Sequence, residues 1–465
     1  FGYDAVGQRT NAVWPNGTLA NYAYDDAGQL LSLVHAKVGS PHPPIASFVY
    51  AYDLSGNRTN MITLEGTNAY AYDARNWLTA AAYPDGKAET FTYDLVGNRT
   101  SLVQAVEGGP ATTTEYSIGP VNRLLSSASS TETNEYAFDD AGRLVAQTVN
   151  GQSRSYGYDF LSRMTALTDT NGSVFSYAFD GEGNRTRQSL NDCLVTRFVY
   201  DGPNVVMELN SSNEVVRAYV NGPGMDQPIE RLDFINGTPR NRQVFHADGL
   251  GSIAALTDAN GEPVQTYTYA AFGGIRARTG TDLNRVTFTA REALGDSLGV
   301  LYYRNRVLDP GTGRLTTLDP MGFVDGPNGY VYVINNPINW TDPKGLDSAG
   351  MIPESTSGLG SVGNDTSCSF SGSGSTGRHG ELEPITIPPG GPYGGSSTEE
   401  HGDIDFIYPT SDQPINGKTD GAFKIGANDA HICMDKDGNI QIHNWRDYWP
   451  HDKAKDLPNY PHPKK

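Results

Sequence analysis

Tyr50-Ala51-Tyr52-Asp53-Leu54-Ser55-Gly56-Asn57-Arg58-Thr59 sets two aromatic residues at a spacing of two, then an aspartate, a glycine and an arginine–threonine pair. Two rings at that spacing lie on one face of an extended strand. The aspartate ends the strand and can bond its own turn backbone. Glycine supplies the positive φ that the turn needs, and Arg58-Thr59 begins a return strand. These ten residues therefore predict strand, tight turn, strand.

The same unit recurs outward in both directions. It reads Tyr22-Ala23-Tyr24-Asp25 upstream, and Tyr70-Ala71-Tyr72-Asp73, Phe91-Thr92-Tyr93-Asp94, Tyr136-Ala137-Phe138-Asp139, Tyr156-Gly157-Tyr158-Asp159 and Tyr177-Ala178-Phe179-Asp180 downstream. The second aromatic stands at positions 3, 24, 52, 72, 93, 116, 138, 158, 179 and 200, in steps of 20 to 28 residues. One such step holds two short strands and two turns. A lone hairpin cannot bury its apolar face, so neighbours must stack. The fold class predicted is all-β, with one spiralling sheet forming a partial hollow shell. Asn16-Gly17, Asp85-Gly86, Asn150-Gly151, Asn171-Gly172 and Asn236-Gly237 fit tight hairpin turns. The strict period makes the tyrosines packing ladders rather than a ligand platform. The triplets at Asn57, Asn98 and Asn184 satisfy the glycosylation spacing, but the repeat accounts for them as turn residues.

Composition agrees. The 465 residues include 53 Gly and 26 Tyr, and 19% are charged, which is a β-and-turn composition rather than that of a helical bundle. No apolar run is long enough for a membrane-spanning helix. A net charge of −19 argues against phosphate backbones as partners of the main body. Cys193, Cys368 and Cys433 are odd in number and far apart, giving neither a disulfide framework nor metal-ligand spacing. No metal or cofactor is expected. The opening residues FGYDAVGQRT are already inside a repeat and carry no leader pattern. The expectation is a chain lacking upstream repeats, with an open-ended shell.

From Tyr200 the repeat degenerates through Tyr200-Asp201-Gly202-Pro203-Asn204, Gly222-Pro223-Gly224-Met225-Asp226 and His246-Ala247-Asp248-Gly249-Leu250-Gly251-Ser252. With no second histidine near it in sequence, His246 reads as a buried hydrogen-bonding residue at a strand end rather than a metal or catalytic group. Ala290 to about Ser297 reads as helix-like. Leu301–Leu346 then carries two Asp-Pro-x-Gly motifs, at Asp319 and Asp342. If the intervening strand, Tyr330 to Asn335, folds back, the two carboxylates approach. Close carboxylates cannot both ionise easily and share a proton. Such a pair can activate water and protonate a leaving amine. On spacing alone, each Asp-Pro is equally a turn opener.

After Leu346 the composition changes abruptly. Runs such as Ser371-Gly372-Ser373-Gly374-Ser375 and Pro388-Pro389-Gly390-Gly391-Pro392 read as flexible linker. Residues 430–443 read as a hairpin on which His431 and His443 could face each other. Asp435, Asp437 and Asn439 lack the remaining ligands of a calcium loop, so a plain Asp-Gly turn is expected there.

The stretch 301–346 closely resembles the core segment of the Rhs (rearrangement hot spot) YD-repeat family, relatives of toxin-complex C subunits and of the teneurin YD shell. The resemblance rests on Tyr302-Tyr303-Arg304, Asp309-Pro310, Thr312-Gly313-Arg314, Asp319-Pro320, Gly322, Asn328, Tyr330, Tyr332, Asn335-Asn336-Pro337 and Asp342-Pro343-x-Gly345-Leu346. It implies four regions: repeats over 1–200, a core domain over 201–346, a linker over 347–400 and a variable tip over 401–465. It further implies a shell that encloses the tip and frees it by aspartyl-type autoproteolysis through Asp319 and Asp342, the scissile bond being Leu346–Asp347. The tip of such proteins is often a toxin, frequently a nuclease, which makes His431 and His443 its candidate site. An immunity protein, a secretion-system component and a secreted or cell-surface bacterial location are also implied. Val307-Leu308, Leu315 and Gly329 depart from the family pattern without touching either aspartate. A surface adhesion or recognition module without toxin is the alternative that the same resemblance allows.

Overall fold

The computed structural model describes residues 1–346 except 40–42, 283, 296–297 and 324, together with the strands Ala349–Gly350 and those of the C-terminal unit given below. Contacts divide the chain into Phe1–Glu354 and Ser355–Lys465.

The first unit is built on a 26-stranded sheet. It begins at Gly2–Tyr3 and ends at Ile275–Arg278. Each strand pairs antiparallel with the next in sequence, so the chain advances as one continuous meander. The expected spiralling all-β sheet is what forms. Its alternation is visible in Ala46–Tyr52, where Phe48 and Tyr50 are buried and Val49 is exposed. The pairing register shifts just before the second aromatic in unit after unit, between Ala51 and Tyr52, Ala71 and Tyr72, Ala137 and Phe138, Gly157 and Tyr158, and Ala178 and Phe179. A bulge bends the strand and increases its twist. Repeating it once per unit curls the sheet.

Each repeat residue has a defined task. Asp53 Oδ1 accepts hydrogen bonds from the backbone N–H groups of Ser55 (2.8 Å) and Asn57 (2.9 Å). Asp25, Asp73, Asp159 and Asp180 bond their turns the same way. The hydroxyl of the second tyrosine donates to a carbonyl in the preceding unit: Tyr52 to Leu30, Tyr72 to Arg58, Tyr93 to Leu78 and Tyr158 to Leu144. Three arginines that open return strands, Arg58, Arg99 and Arg185, are buried. Arg58 lies over the Tyr50 ring, Arg99 over Phe91 and Phe272, and Arg185 among Tyr177, Phe198 and Tyr302. Cation–π contact lets a guanidinium sit in an aromatic wall. Asn57 and Asn98 are buried turn residues, in keeping with the repeat reading of their triplets. Strands around 46–70 and 253–269 enclose a cavity of ≈ 250 Å³ lined by Phe48, Tyr70, Tyr267, Tyr269 and Phe288.

The core segment docks on these turns. Asn98 Oδ1 accepts from Arg314 (3.0 Å) and Asn328 (2.7 Å), Asn336 donates to Asn57 (3.1 Å), and Asn335 donates to the Gly97 carbonyl (2.9 Å). Two local expectations are corrected here. The helix-like piece from Ala290 is a single 3-10 turn, Phe288–Ala290, followed by the short strand Glu292–Ala293 paired with Leu301–Tyr303. Positive φ at Thr289 and Ala290 breaks any helix at its start; Ser297 lies outside the described residues. The strand anticipated over Tyr330 to Asn335 is instead a tight turn with positive φ at Val333, Ile334 and Asn335.

The C-terminal unit contributes strands on both sides of residue 400. Pro392–Gly394, Ser361–Asn364, Ala430–Met434 and Ile440–His443 form one sheet. Glu383–Ile387, Phe370–Gly374, Ile404–Ile407, Ala422–Lys424 and Asp447–Trp449 form another.

Candidate functional site

Leu301–Tyr303 and Arg306–Asp309 form a hairpin with a two-residue tip. Both strands are buried, which the run Leu301-Tyr302-Tyr303 and Val307-Leu308 dictates. Arg306 opens the second strand inside this apolar wall, and its side chain is 2% exposed. A guanidinium at such depth must meet counter-charges and acceptors. It meets both sequence-predicted aspartates. Nη1 lies 2.8 Å from Asp319 Oδ2, and Nη2 lies 3.0 Å from Asp342 Oδ2. Its Nε donates to the Gly345 carbonyl (2.6 Å) and Nη1 also to the Gly329 carbonyl (3.3 Å).

The two Asp-Pro-x-Gly turns thus converge on one residue. They do so through the turn at 333–335 and through Trp340–Thr341, which pairs with Ala349–Gly350. Residues 342–346 follow Trp340–Thr341 as a turn and bend. Asp342 Oδ1 accepts the Leu346 N–H (2.9 Å), and the Gly345 N–H bonds the Asp342 carbonyl (3.3 Å). Burial pushes the Asp342 carboxyl above its ordinary range, against the pull of Arg306 and of the Leu346 and Gly345 N–H groups. A carboxyl raised above its ordinary range, a second carboxyl on the same guanidinium and an adjacent peptide segment are the parts that acid–base cleavage of an amide requires. Leu346 is half-buried beside Asp342; Asp347, the other side of the expected scissile bond, lies outside the described residues.

Arg306 is the member that sequence reasoning missed. Its signal was present: a cation next to Val307-Leu308 in LYYRNRVL must be buried if those apolar residues are, and must therefore find anions.

His246 is fully buried on Thr238–Ala247, and a second histidine does reach it. His35 comes from 211 residues away, its Nδ1 3.2 Å from His246 Nδ1. His35 Nε2 bonds the Ala247 carbonyl (2.8 Å) and His246 Nε2 bonds Thr257 Oγ1 (2.9 Å). Among the described residues no group of three or more His, Cys, Asp or Glu is placed to hold a metal ion. In the C-terminal unit, Ala430–Met434 and Ile440–His443 pair antiparallel with His431 directly opposite His443. The turn residues Asp435, Asp437 and Asn439 lie outside the described residues.

Comparison with known proteins finds relatives of this chain. The teneurin YD-shell family model matches residues 45–326. The chain is 31% identical over 198 residues to the double-stranded DNA deaminase toxin A of Burkholderia cenocepacia, covering 39% of this chain and 13% of that one. It is 29% identical over 179 residues to the tRNA nuclease WapA of Bacillus subtilis, covering 37% of this chain and 7% of the relative. The chain therefore spans only a small part of the length of these relatives. The Photorhabdus luminescens Tc holotoxin pore shares the fold at a TM-score of 0.62 and 20% identity, over 74% of this chain and 19% of that one.

Proposed function

The chain belongs to the teneurin YD-shell family, and from that premise we propose that residues 1–346 are a shell that encloses a C-terminal segment and cuts it free by hydrolysing the Leu346–Asp347 bond. The observation that carries this reading is Arg306 holding Asp319 and Asp342 on its two terminal nitrogens beside Leu346. Asp319, ionised, takes a proton from water, whose oxygen adds to the Leu346 carbonyl carbon. Asp342, protonated, gives its proton to the departing Asp347 nitrogen as the C–N bond breaks. The Leu346 carboxyl and the Asp347 amine are the products. Because the bond belongs to the same chain, no substrate need be captured.

Toxin-type relatives support an effector in the released segment. Within the proposed organisation of repeats (1–200), core (201–346), linker (347–400) and tip (401–465), the cross-strand pair His431 and His443 is the candidate chemistry of that tip. A secreted or surface-exposed bacterial protein with a protective immunity partner fits the same reading.

Denaturing electrophoresis and intact mass of the folded chain test the cut. Two fragments meeting at Leu346–Asp347 are expected, and one uncut chain for both Asp319→Asn and Asp342→Asn, without additivity. A wild-type protein that folds and stays whole refutes the reading, as does a variant that still cuts. For the tip, His431→Ala or His443→Ala is expected to abolish toxicity of expressed 347–465; a harmless wild-type fragment refutes that part.

A further inference from the structure

The hairpin tip beside the two aspartates grips the chain more extensively than Arg306 alone requires. Three successive residues donate to three successive carbonyls. Arg304 Nη1 bonds the Pro343 carbonyl; Asn305 bonds the Lys344 carbonyl through its backbone N–H (3.3 Å) and its Nδ2 (3.0 Å); Arg306 Nε bonds the Gly345 carbonyl (2.6 Å). These carbonyls belong to the residues immediately before Leu346. The pattern is main-chain recognition of the turn that Gly345 closes onto Asp342, made through its carbonyls and not through its side chains.

One side-chain position is nevertheless fixed. Gly345 has φ +69°, and a Cβ there would stand 2.2 Å from the Tyr303 carbonyl oxygen and 3.1 Å from the Arg306 nitrogen. Both obstacles are backbone. Tyr303 is fully buried, and its hydroxyl is bonded to Tyr332 (2.9 Å) and Thr289 (2.8 Å), so the wall cannot yield.

Arg304 is itself held. Asp226 takes its two terminal nitrogens at 2.8 and 3.1 Å, and the Pro203 carbonyl accepts at 3.1 Å. Asp226 also receives Arg291 Nη1 (2.5 Å), whose other nitrogens are committed to the Tyr302 carbonyl (3.1 and 2.8 Å). A charge-assisted chain therefore runs Arg291–Asp226–Arg304–Pro343. It gives a task to the Gly222-Pro223-Gly224-Met225-Asp226 segment, which the repeat does not explain.

We infer that the tip 304–306 is a built-in binding subsite for the main chain of residues 343–345, with Gly345 as its specificity determinant and Asp226 as a positioning residue acting through Arg304. The inference rests on the self-cleavage reading for its purpose, but its geometry can be tested without cleavage. A fixed segment presents one carbonyl to the two aspartates, and a misplacement of about 1 Å costs about 10²-fold in rate.

The experiment uses the full chain with Arg304→Ala, Asn305→Ala or Asp226→Asn. In an Asp319→Asn background, where cutting is blocked, hydrogen exchange is followed at the amides of Lys344, Gly345 and Leu346. Exchange there is expected to rise roughly tenfold in Arg304→Ala, with the 26-stranded sheet and the melting temperature unchanged. Without Asp319→Asn, cutting timed from cell-free synthesis is expected to slow by about 10²-fold in Arg304→Ala and less in Asn305→Ala, whose backbone N–H remains. Unchanged exchange at 344–346, or a rise spread through the whole sheet, overturns the subsite. Raised local exchange with a wild-type cutting rate overturns the positioning role. If the wild-type chain is never cut, the self-cleavage reading falls, and the exchange data alone decide whether the tip binds this segment.

Discussion

Acidification is expected to loosen the wall at His35 and His246, and the hydrogen bonds dictate the sign. The Ala247 carbonyl can only accept, so His35 carries its proton on Nε2 and presents a bare Nδ1. His246 must then donate from Nδ1, leaving its Nε2 to accept from the Thr257 hydroxyl. Thr257 in turn accepts from Asn16 Nδ2 (2.9 Å). One proton arrangement satisfies every atom, and it is neutral at both rings. Burial, opposed only in part by the bond to Ala247, lowers His35 from 6.5 to about 4, and burial with repulsion from His35 puts His246 well below its ordinary range. The unfolded chain therefore binds more protons than the folded one, and stability falls as pH drops from about 6.5 towards 4. Through His35 alone, the loss between about pH 7.5 and 4.5 is about 2.5 kcal/mol. His35→Gln provides the comparison, since its amide can donate to Ala247 and accept from His246. Urea denaturation of both proteins across that pH range measures the difference. Wild type is expected to lose ground on the variant by about 2.5 kcal/mol as pH falls. A gap that stays constant, or that moves in wild type's favour, refutes the proton assignment.

Other expectations follow from the core segment. Arg306→Leu leaves the buried Asp319 carboxylate and the Asp342 carboxyl without the cation that holds both, so a loss of about 3–5 kcal/mol is expected in denaturation, along with loss of the cut. Rate against pH is expected to fall on the alkaline side as Asp342 loses the proton it must donate; its raised carboxyl puts that limb above the ordinary aspartate range, and a rate flat through weakly acidic to neutral pH counts against Asp342 as the acid. Gly142→Ala places a Cβ 2.6 Å from Leu318 and 2.8 Å from the Tyr330 hydroxyl at φ +77°. Overpacking and the left-handed backbone together cost about 2–5 kcal/mol, read as a lowered melting temperature, and cutting slows because Leu318 adjoins Asp319.

What the sequence discloses here is what the chain settles locally. Within one repeat the aromatic spacing, the aspartate and the glycine interact across two to four residues, as Asp53 with Ser55 and Asn57 shows. The period then multiplies that local answer into a sheet. The bulge before each second aromatic escapes such reading, because it is a relation between strands rather than a property of either.

The site is made differently. His35 and His246 stand 211 residues apart, Arg314 and Asn98 216, and Asn336 and Asn57 279. No periodicity announces such pairs. Their positions are set when the core segment lays its asparagines on turns formed early in the chain. The paired motifs at Asp319 and Asp342 could be seen, yet the reason they meet could not. Sequence suggested two carboxylates approaching across a returning strand. The fold instead turns sharply at 333–335 and gathers both on Arg306, a residue whose importance lies in its depth. Depth itself follows from Leu301-Tyr302-Tyr303 and Val307-Leu308, so the cation had to be compensated once those residues were assigned to the interior. Asking of each charge in an apolar run which anions it must meet would have found the centre of the site from the sequence, leaving only its geometry to the structure.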